Sequence, residues 1–249
     1  MAGHSKWKQI KRKKAVTDSR RASTWTKVIR EITVAARAGG GDVGGNPRLR
    51  LAVDAARAVN MPKENIERAI KKGTGELEGE AYQELTYEGY GPGGAAIFIE
   101  ATTDNPTRTV AEIRHAFSRN GGNLGATGSV AWMFDHLGQV MLDAANSSED
   151  STLEQALDAG ADDFAREGDQ YVVTTSPAAF HAVQDALRAA GLRVDSAELA
   201  MVPKNSVKVE GEDAGRLLRL VEALEELDDV SKVFSNFDID ASQLAEADA

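Results

Sequence analysis

The chain has 249 residues, 42% of them hydrophobic and 27% charged, with a formal net charge of −10 and no cysteine. That apolar content excludes disorder throughout and suffices for one to three domains. No uncharged apolar run approaches the roughly 18 residues of a membrane span, and the missing thiols exclude disulfides, thiolate nucleophiles and cysteine-ligated metals. The N-terminus shows no apolar stretch of the secretory kind, so a cytoplasmic protein is expected.

Residues 1–18 form a basic tail with Trp7 and Ile10 as the only large apolar residues before Val16. Such a segment cannot bury a face of its own. From Asp18 or Ser19 to Ala38, the residues Trp25, Val28, Ile29, Ile32, Ala35 and Ala36 recur at helical spacing and predict one apolar stripe. Gly39-Gly40-Gly41 stops this helix, and Asn46-Pro47 reads as the N-cap and first residue of the next, with Leu49, Ala52, Val53 and Ala56 facing inward. Met61-Pro62 opens a third helix with Ile66, Ala69 and Ile70 inward, ended by Gly73. The last two helices resemble a helix-turn-helix only loosely.

After a linker at Gly73–Gly79, strands and helices alternate. Ala95–Ile99 predicts a buried strand and Thr107–Asn120 a helix; Ser129–Phe134 reads as a strand, broken by Gly138 before Gln139–Leu142. Next come a helix at Thr152–Ala159, a strand at Tyr171–Thr175, a helix at Pro177–Ala190 and a strand at Val194–Val202. A strand at Val207–Val209, a helix at Asp213–Leu227 and a strand at Val230–Phe237 complete the inventory. The expected fold class is α+β and multi-domain: an N-terminal all-helical domain, residues 1–75, followed by two ferredoxin-like α/β domains. The second, residues 138–203, is expected as an insertion in the first, residues 80–137 with 204–240; contiguous domains with a boundary near 203 are the alternative.

Charge is strongly segregated. Residues 1–72 contain 18 Lys and Arg against 6 Asp and Glu, a local charge of +12, whereas the other 177 residues carry 11 against 33, or −22. This asymmetry points to polyanion binding by the basic part. Lys6, Lys8, Lys11, Arg12, Lys13 and Lys14 seek phosphate, and Trp7 among them is either a base-stacking platform or a residue packed on the helical domain. Arg20, Arg21, Lys27 and Arg30 extend the charge along the first helix, and Arg48, Arg50, Lys71 and Lys72 widen the patch. The acidic remainder repels nucleic acid and suits solvent or basic proteins.

Enzyme chemistry finds little support. His4, His115, His136 and His181 have no paired metal-ligand spacing, and Gly91-Pro92-Gly93-Gly94 precedes a strand rather than a helix N-terminus that could cradle phosphate. Asn120-Gly121-Gly122-Asn123-Leu124-Gly125 reads as a helix stop and loop. No catalytic residue, metal or cofactor is expected.

Several longer strings, Gly3-His4-Ser5-Lys6-Trp7, Thr26-Lys27-Val28-Ile29-Arg30-Glu31-Ile32 and Tyr87-Glu88-Gly89-Tyr90-Gly91-Pro92-Gly93-Gly94 among them, resemble the YebC/PmpR family of probable transcriptional regulatory proteins. The resemblance runs through Gly121–Gly125 and Met201–Asn205 and so covers nearly the whole chain. It implies a cytoplasmic three-domain protein without catalytic residues that regulates transcription by binding DNA. Relatives that include a mitochondrial translational activator imply instead an RNA- or ribosome-associated factor assisting elongation. The family's basic N-terminal motif carries over onto Lys6, Trp7, Lys13, Lys14, Lys27 and Arg30.

Overall fold

The apolar stripe that begins at Trp25 folds as helix α1, Asp18–Gly39, in a computed structural model that describes residues 18–240, with side chains from Ser23 onward except Asn146. Gly40, at φ 84°, ends the helix in the left-handed conformation that a side chain resists. Asn46 then joins two helices. Its Oδ1 accepts from the Leu49 amide at 3.1 Å and caps α2, Pro47–Ala58, while its Nδ2 donates to the carbonyls of Ala35 and Gly40 at 2.8 and 2.9 Å. Helix α3, Lys63–Thr74, follows, and Ile32, Ala35, Leu49, Val53, Ala56, Met61, Ile66 and Ala69 close one small core.

Gly73 does not end α3 as expected; Gly75, at φ 84°, does. The reason is helix crossing. A Cβ on Gly73 would lie 2.4 Å from the Thr33 carbonyl oxygen and 2.6 Å from the Ala36 Cβ, so the glycine sits where α3 passes closely over α1.

The chain divides into two compact units: a continuous segment, Phe134–Lys204, and the residues on either side of it. The flanking residues place the three helices with a four-stranded antiparallel sheet. Its strands are β1 (Gln83–Tyr90), β2 (Ala96–Thr103), β3 (Asn123–Leu124) and, after the return of the chain, β9 (Val230–Ser235), in the order β3-β1-β2-β9. Helix α4, Pro106–Arg119, is capped by Asn105 with proline in its first turn, and α7, Gly211–Glu226, precedes β9. Ile97 and Ile99 of β2 meet Ile113 and Phe117 of α4, Leu217, Leu220 and Leu224 of α7, and Val233 of β9 in the core. A short parallel pair, β8 (Val207–Lys208) with β10 (Phe237–Asp238), lies beside them in sequence.

In the segment Phe134–Lys204 the elements run β4 (Phe134–Asp143), α5 (Glu149–Asp158), β5 (Asp163–Glu167), β6 (Gln170–Thr175), α6 (Phe180–Ala189) and β7 (Val194–Pro203). The sheet order is β5-β6-β4-β7, with every pairing antiparallel. Val140, Leu142, Tyr171, Val173, Phe180, Val183 and Leu187 are buried. The expected break at Gly138 does not occur. Strand β4 runs through it, because a Cβ there would meet the Phe180 ring at 2.4 Å and Thr175 Oγ1 at 2.5 Å; the glycine makes room for helix α6. The expected strand at Ser129–Phe134 is also corrected. Ala131–Met133 forms a single 3-10 turn, and the strand begins only at Phe134.

The close helix crossing makes a prediction. Gly73→Ala should lower stability by about 1–3 kcal/mol through overpacking. Gly215→Ala, inside α7 and with only the Arg219 guanidinium nearby at 3.5 Å, should raise it by up to about 1 kcal/mol through helix propensity. Urea unfolding of the two variants measures the opposite signs; a neutral Gly73→Ala would show that the crossing can relax.

Candidate nucleic-acid interface

The fifteen residues expected to contact nucleic acid separate into groups with different surroundings. Lys6, Trp7, Lys8, Lys11, Arg12, Lys13 and Lys14 lie outside the described residues, and Arg20 and Arg21 are placed on α1 by their backbone only. Four more are engaged within the protein. Lys27 Nζ donates to the Glu225 carbonyl. Arg50 Nη2 donates to the Gly44 carbonyl at 3.3 Å. Arg48 bridges Glu31 at 2.8 Å and Glu84 at 2.5 Å, and the hydrogen bonds to Glu84 and Glu31 raise its already high pKa against the lowering effect of partial burial.

Arg30 is the most committed. Its Nη1 donates to the carbonyls of Asp228 and Thr102 at 2.7 and 3.2 Å and to Asp229 Oδ1 at 2.5 Å, while the guanidinium lies 5.4 Å from the centre of the Tyr82 ring. Asp229, between α7 and β9, is only 2% exposed. It also accepts from Arg108 Nη2 at 2.8 Å, Thr109 Oγ1 at 2.7 Å and Thr103 Oγ1 at 3.1 Å. Ser23 adds a hydrogen bond to Asp228 at 3.0 Å, one turn before Lys27 on α1. This face of α1 therefore docks on the sheet, and Lys27 and Arg30 hold it there. Burial alone would raise the Asp229 carboxyl, but hydrogen bonds from Arg108, Thr109 and Arg30 and the Arg30 charge hold it below the ordinary carboxylate range.

Lys71 and Lys72 remain exposed in the last turn of α3. With exposed Arg68 they occupy i, i+3 and i+4 and so share one solvent face, opposite Ile66 and Ala69. Sequence reasoning missed Arg68, although the helical spacing from Lys71 and Lys72 was visible. The geometry offers three cations in one row at a helix surface, a contact suited to phosphate and carrying no base information.

Among the described residues no group of three or more His, Asp or Glu is arranged to hold a metal ion, and no helix is long and apolar enough to cross a membrane. Residues 5–76 match the TACO1/YebC N-terminal domain, and residues 82–237 match the second and third domains of the same family. The chain belongs to the TACO1/YebC family. It is 60% identical over 247 residues to a protein of Gemmatimonas aurantiaca named "Probable transcriptional regulatory protein", with 99% of this chain and all of that one covered. A protein of Acidithiobacillus ferrooxidans with the same name is 55% identical, over 100% of this chain and 99% of its own. Among solved structures, the conserved hypothetical protein Aq1575 from Aquifex aeolicus is similar, with TM-score 0.83 and 45% identity, over 92% of this chain and 94% of that one. The mixed architecture, helices first and sheets after, is thus shared with a family structure.

The Asp229 cluster predicts an acid-sensitive docking. Its folded carboxyl lies below the ordinary unfolded value of about 3.9, so its contribution is present above about pH 4 and is lost as pH falls through the lower folded value. Asp229→Ala should lower stability at neutral pH by about 3–5 kcal/mol, since it leaves the Arg30 guanidinium largely buried without its carboxylate. Asp229→Asn should flatten the acid limb of the stability profile. Thermal unfolding across a pH series measures both, and an unchanged acid limb in the Asn variant would place the proton-linked stability elsewhere.

Proposed function

We propose that this protein is a non-enzymatic regulator that binds nucleic acid through its basic N-terminal part, acting in the cytoplasm as a DNA-binding transcriptional regulator. The observation that carries the reading is the charge segregation, +12 in residues 1–72 against −22 in the rest. The exposed row Arg68, Lys71 and Lys72 supports it from the described residues, and the names of the relatives support the regulatory role. The acidic remainder turns the basic pole toward a polyanion. In this reading the tail cations Lys6, Lys8, Lys11, Arg12, Lys13 and Lys14, with Arg20 and Arg21, and the α3 row make the phosphate contacts, while Arg30 and Arg48 serve the fold.

A second reading, an RNA- or ribosome-associated translation factor, is favoured by one feature. Trp7 stands between Lys6 and Lys8, an arrangement that suits stacking on an unpaired base. Crosslinking in cells followed by sequencing of bound DNA and RNA together separates the two: enrichment at promoters supports the transcriptional reading, and enrichment on ribosomal RNA replaces it.

Binding itself should be steeply salt-dependent, because each phosphate contact releases counterions worth about 0.9 in the slope of log K against log salt on a duplex. Replacing Lys11, Arg12, Lys13 and Lys14 together with alanine should reduce that slope by roughly three to four units, and replacing Arg68, Lys71 and Lys72 by roughly two to three. Fluorescence anisotropy over a salt series reads both slopes. A slope unmoved by either set would remove that set from the interface.

A further inference from the structure

Helix α5 is fixed at both ends and along its inner face. The Ser148 hydroxyl caps the Ser151 amide at 3.3 Å, the Ala161 amide donates back to the Ala156 carbonyl at 3.0 Å, and Thr152 and Ala156 are fully buried. Two leucines of the same helix nevertheless stay in water, Leu153 at 37% exposure and Leu157 at 57%. Four positions apart, they lie one above the other on a single flank. Strand β5, an edge in the order β5-β6-β4-β7, runs along this helix. Its Arg166 reaches Glu149 in the first turn of α5 at 3.1 Å and lies 6.0 Å from the centre of the Tyr171 ring. Half-buried Phe164, two residues earlier and so on the same face of the strand, has its ring centre 5.2 Å from that of Tyr171.

Beside the leucines runs a row of acids. Asp150, Glu154 and Asp158 stand at i, i+4 and i+8 on α5, all exposed and none with an ion-pair partner among the described residues. Like charges at this spacing repel, so the row costs the helix stability rather than adding to it. Asp162 and Asp163, also exposed, continue the negative charge past the turn at Gly160. The 46 residues between Arg119 and Arg166 contain no Lys or Arg, and Arg166 itself is paired with Glu149. An apolar pair flanked by unneutralised carboxylates repels nucleic acid and anionic lipid alike. It suits a cationic amphipathic helix, whose apolar side covers the leucines while its Lys or Arg row meets the acids, as charges flank the seam of a coiled coil.

We propose that the outer flank of α5 docks a Lys- and Arg-rich amphipathic helix of a partner protein, with Leu153 and Leu157 as the apolar anchors and Asp150, Glu154 and Asp158 as the row that selects its charge. This docking goes beyond the nucleic-acid reading above and does not depend on it. It uses charge of the opposite sign and a different class of ligand, and it makes no use of the basic tail or the α3 row.

The test titrates the full chain with two labelled helical peptides, one of leucine and lysine and one of leucine and glutamate in the same pattern. The lysine peptide should bind with an affinity that falls as salt rises, and the glutamate peptide should not bind. Asp150→Asn, Glu154→Gln and Asp158→Asn together should weaken the lysine peptide about tenfold and flatten its salt dependence. Glu112→Gln with Glu226→Gln, exposed acids on α4 and α7, should change little; equal weakening there would reduce the binding to net charge and overturn the proposal. Leu157→Gln should weaken the peptide on the order of fivefold with its salt dependence kept, and Leu157→Met should restore it. Glutamine matches leucine in helix propensity, so the thermal midpoint of Leu157→Gln should hold; a lowered midpoint would make the side chain structural and defeat the assignment. Amide hydrogen exchange should slow across residues 149–167 when the lysine peptide is added, and protection confined to other residues would place the site elsewhere. A lysine peptide that binds more tightly once Lys11, Arg12, Lys13 and Lys14 are alanine would give this face to the chain's own tail and remove the partner protein. No binding of the lysine peptide ends the proposal outright and leaves the nucleic-acid reading untouched.

Discussion

A carboxylate almost wholly removed from water must be matched by donors, and Asp229 is matched by donors drawn from distant parts of the chain. Arg30 reaches it from α1 across 199 positions, and Arg108 from the start of α4 across 121. Thr103 and Thr109 complete the set. Because breaking such a pair strands a buried charge, the cluster constrains the placement of α1 against the sheet more strongly than an apolar contact of the same area. The short core that α1 shares with α2 and α3, and hence the exposed row on α3, is positioned by the same contact.

Glu88 solves the same problem in another way. With no cation beside it among the described residues, the carboxylate is matched by three backbone amides, and although burial raises its pKa, those hydrogen bonds bring it below the ordinary range. The consequence is local. The backbone of Gly128–Ala131 is held as a turn at the point where the chain leaves for Phe134–Lys204. The two buried acids therefore organise different scales, one joining helix to sheet and the other shaping a single loop.

These two acids also mark where the sequence was hard to read. The helix stop at Gly39, the Asn46-Pro47 cap and the α1 stripe were legible because each depends on residues within one or two turns. Strand β1 was not: a buried Glu88 beside Gly89 breaks the alternation that announces a strand. Edge strand β5 carries Asp163, Arg166 and Glu167 with little apolar signal, as exposed edges tend to. Gly73 and Gly138 look like breakers in sequence, but each makes room for a neighbour that the chain supplies elsewhere. Asp229 closes an acidic run, Glu225-Glu226-Leu227-Asp228-Asp229, that reads as solvated surface. The basic tail was plain from charge alone, whereas the division of the helical cations into docking and exposed groups depends on contacts that span most of the chain.

That division changes what the +12 of the first 72 residues means. Arg30 is neutralised by Asp229 and Arg48 by Glu31 and Glu84, so neither adds a full charge to a surface facing a polyanion. Lys27 turns its ammonium toward the Glu225 carbonyl at the end of α7. A fragment ending near residue 75 would lose Glu84, Asp229 and the Glu225 carbonyl together. It would free Lys27, Arg30 and part of Arg48 for phosphate and bind more tightly than the intact basic pole does. Its affinity would then measure docking cations as though they were interface cations. The electrostatic argument for nucleic-acid binding therefore belongs to the whole chain, in which the sheet claims part of the positive charge and leaves the tail and the α3 row to meet the ligand.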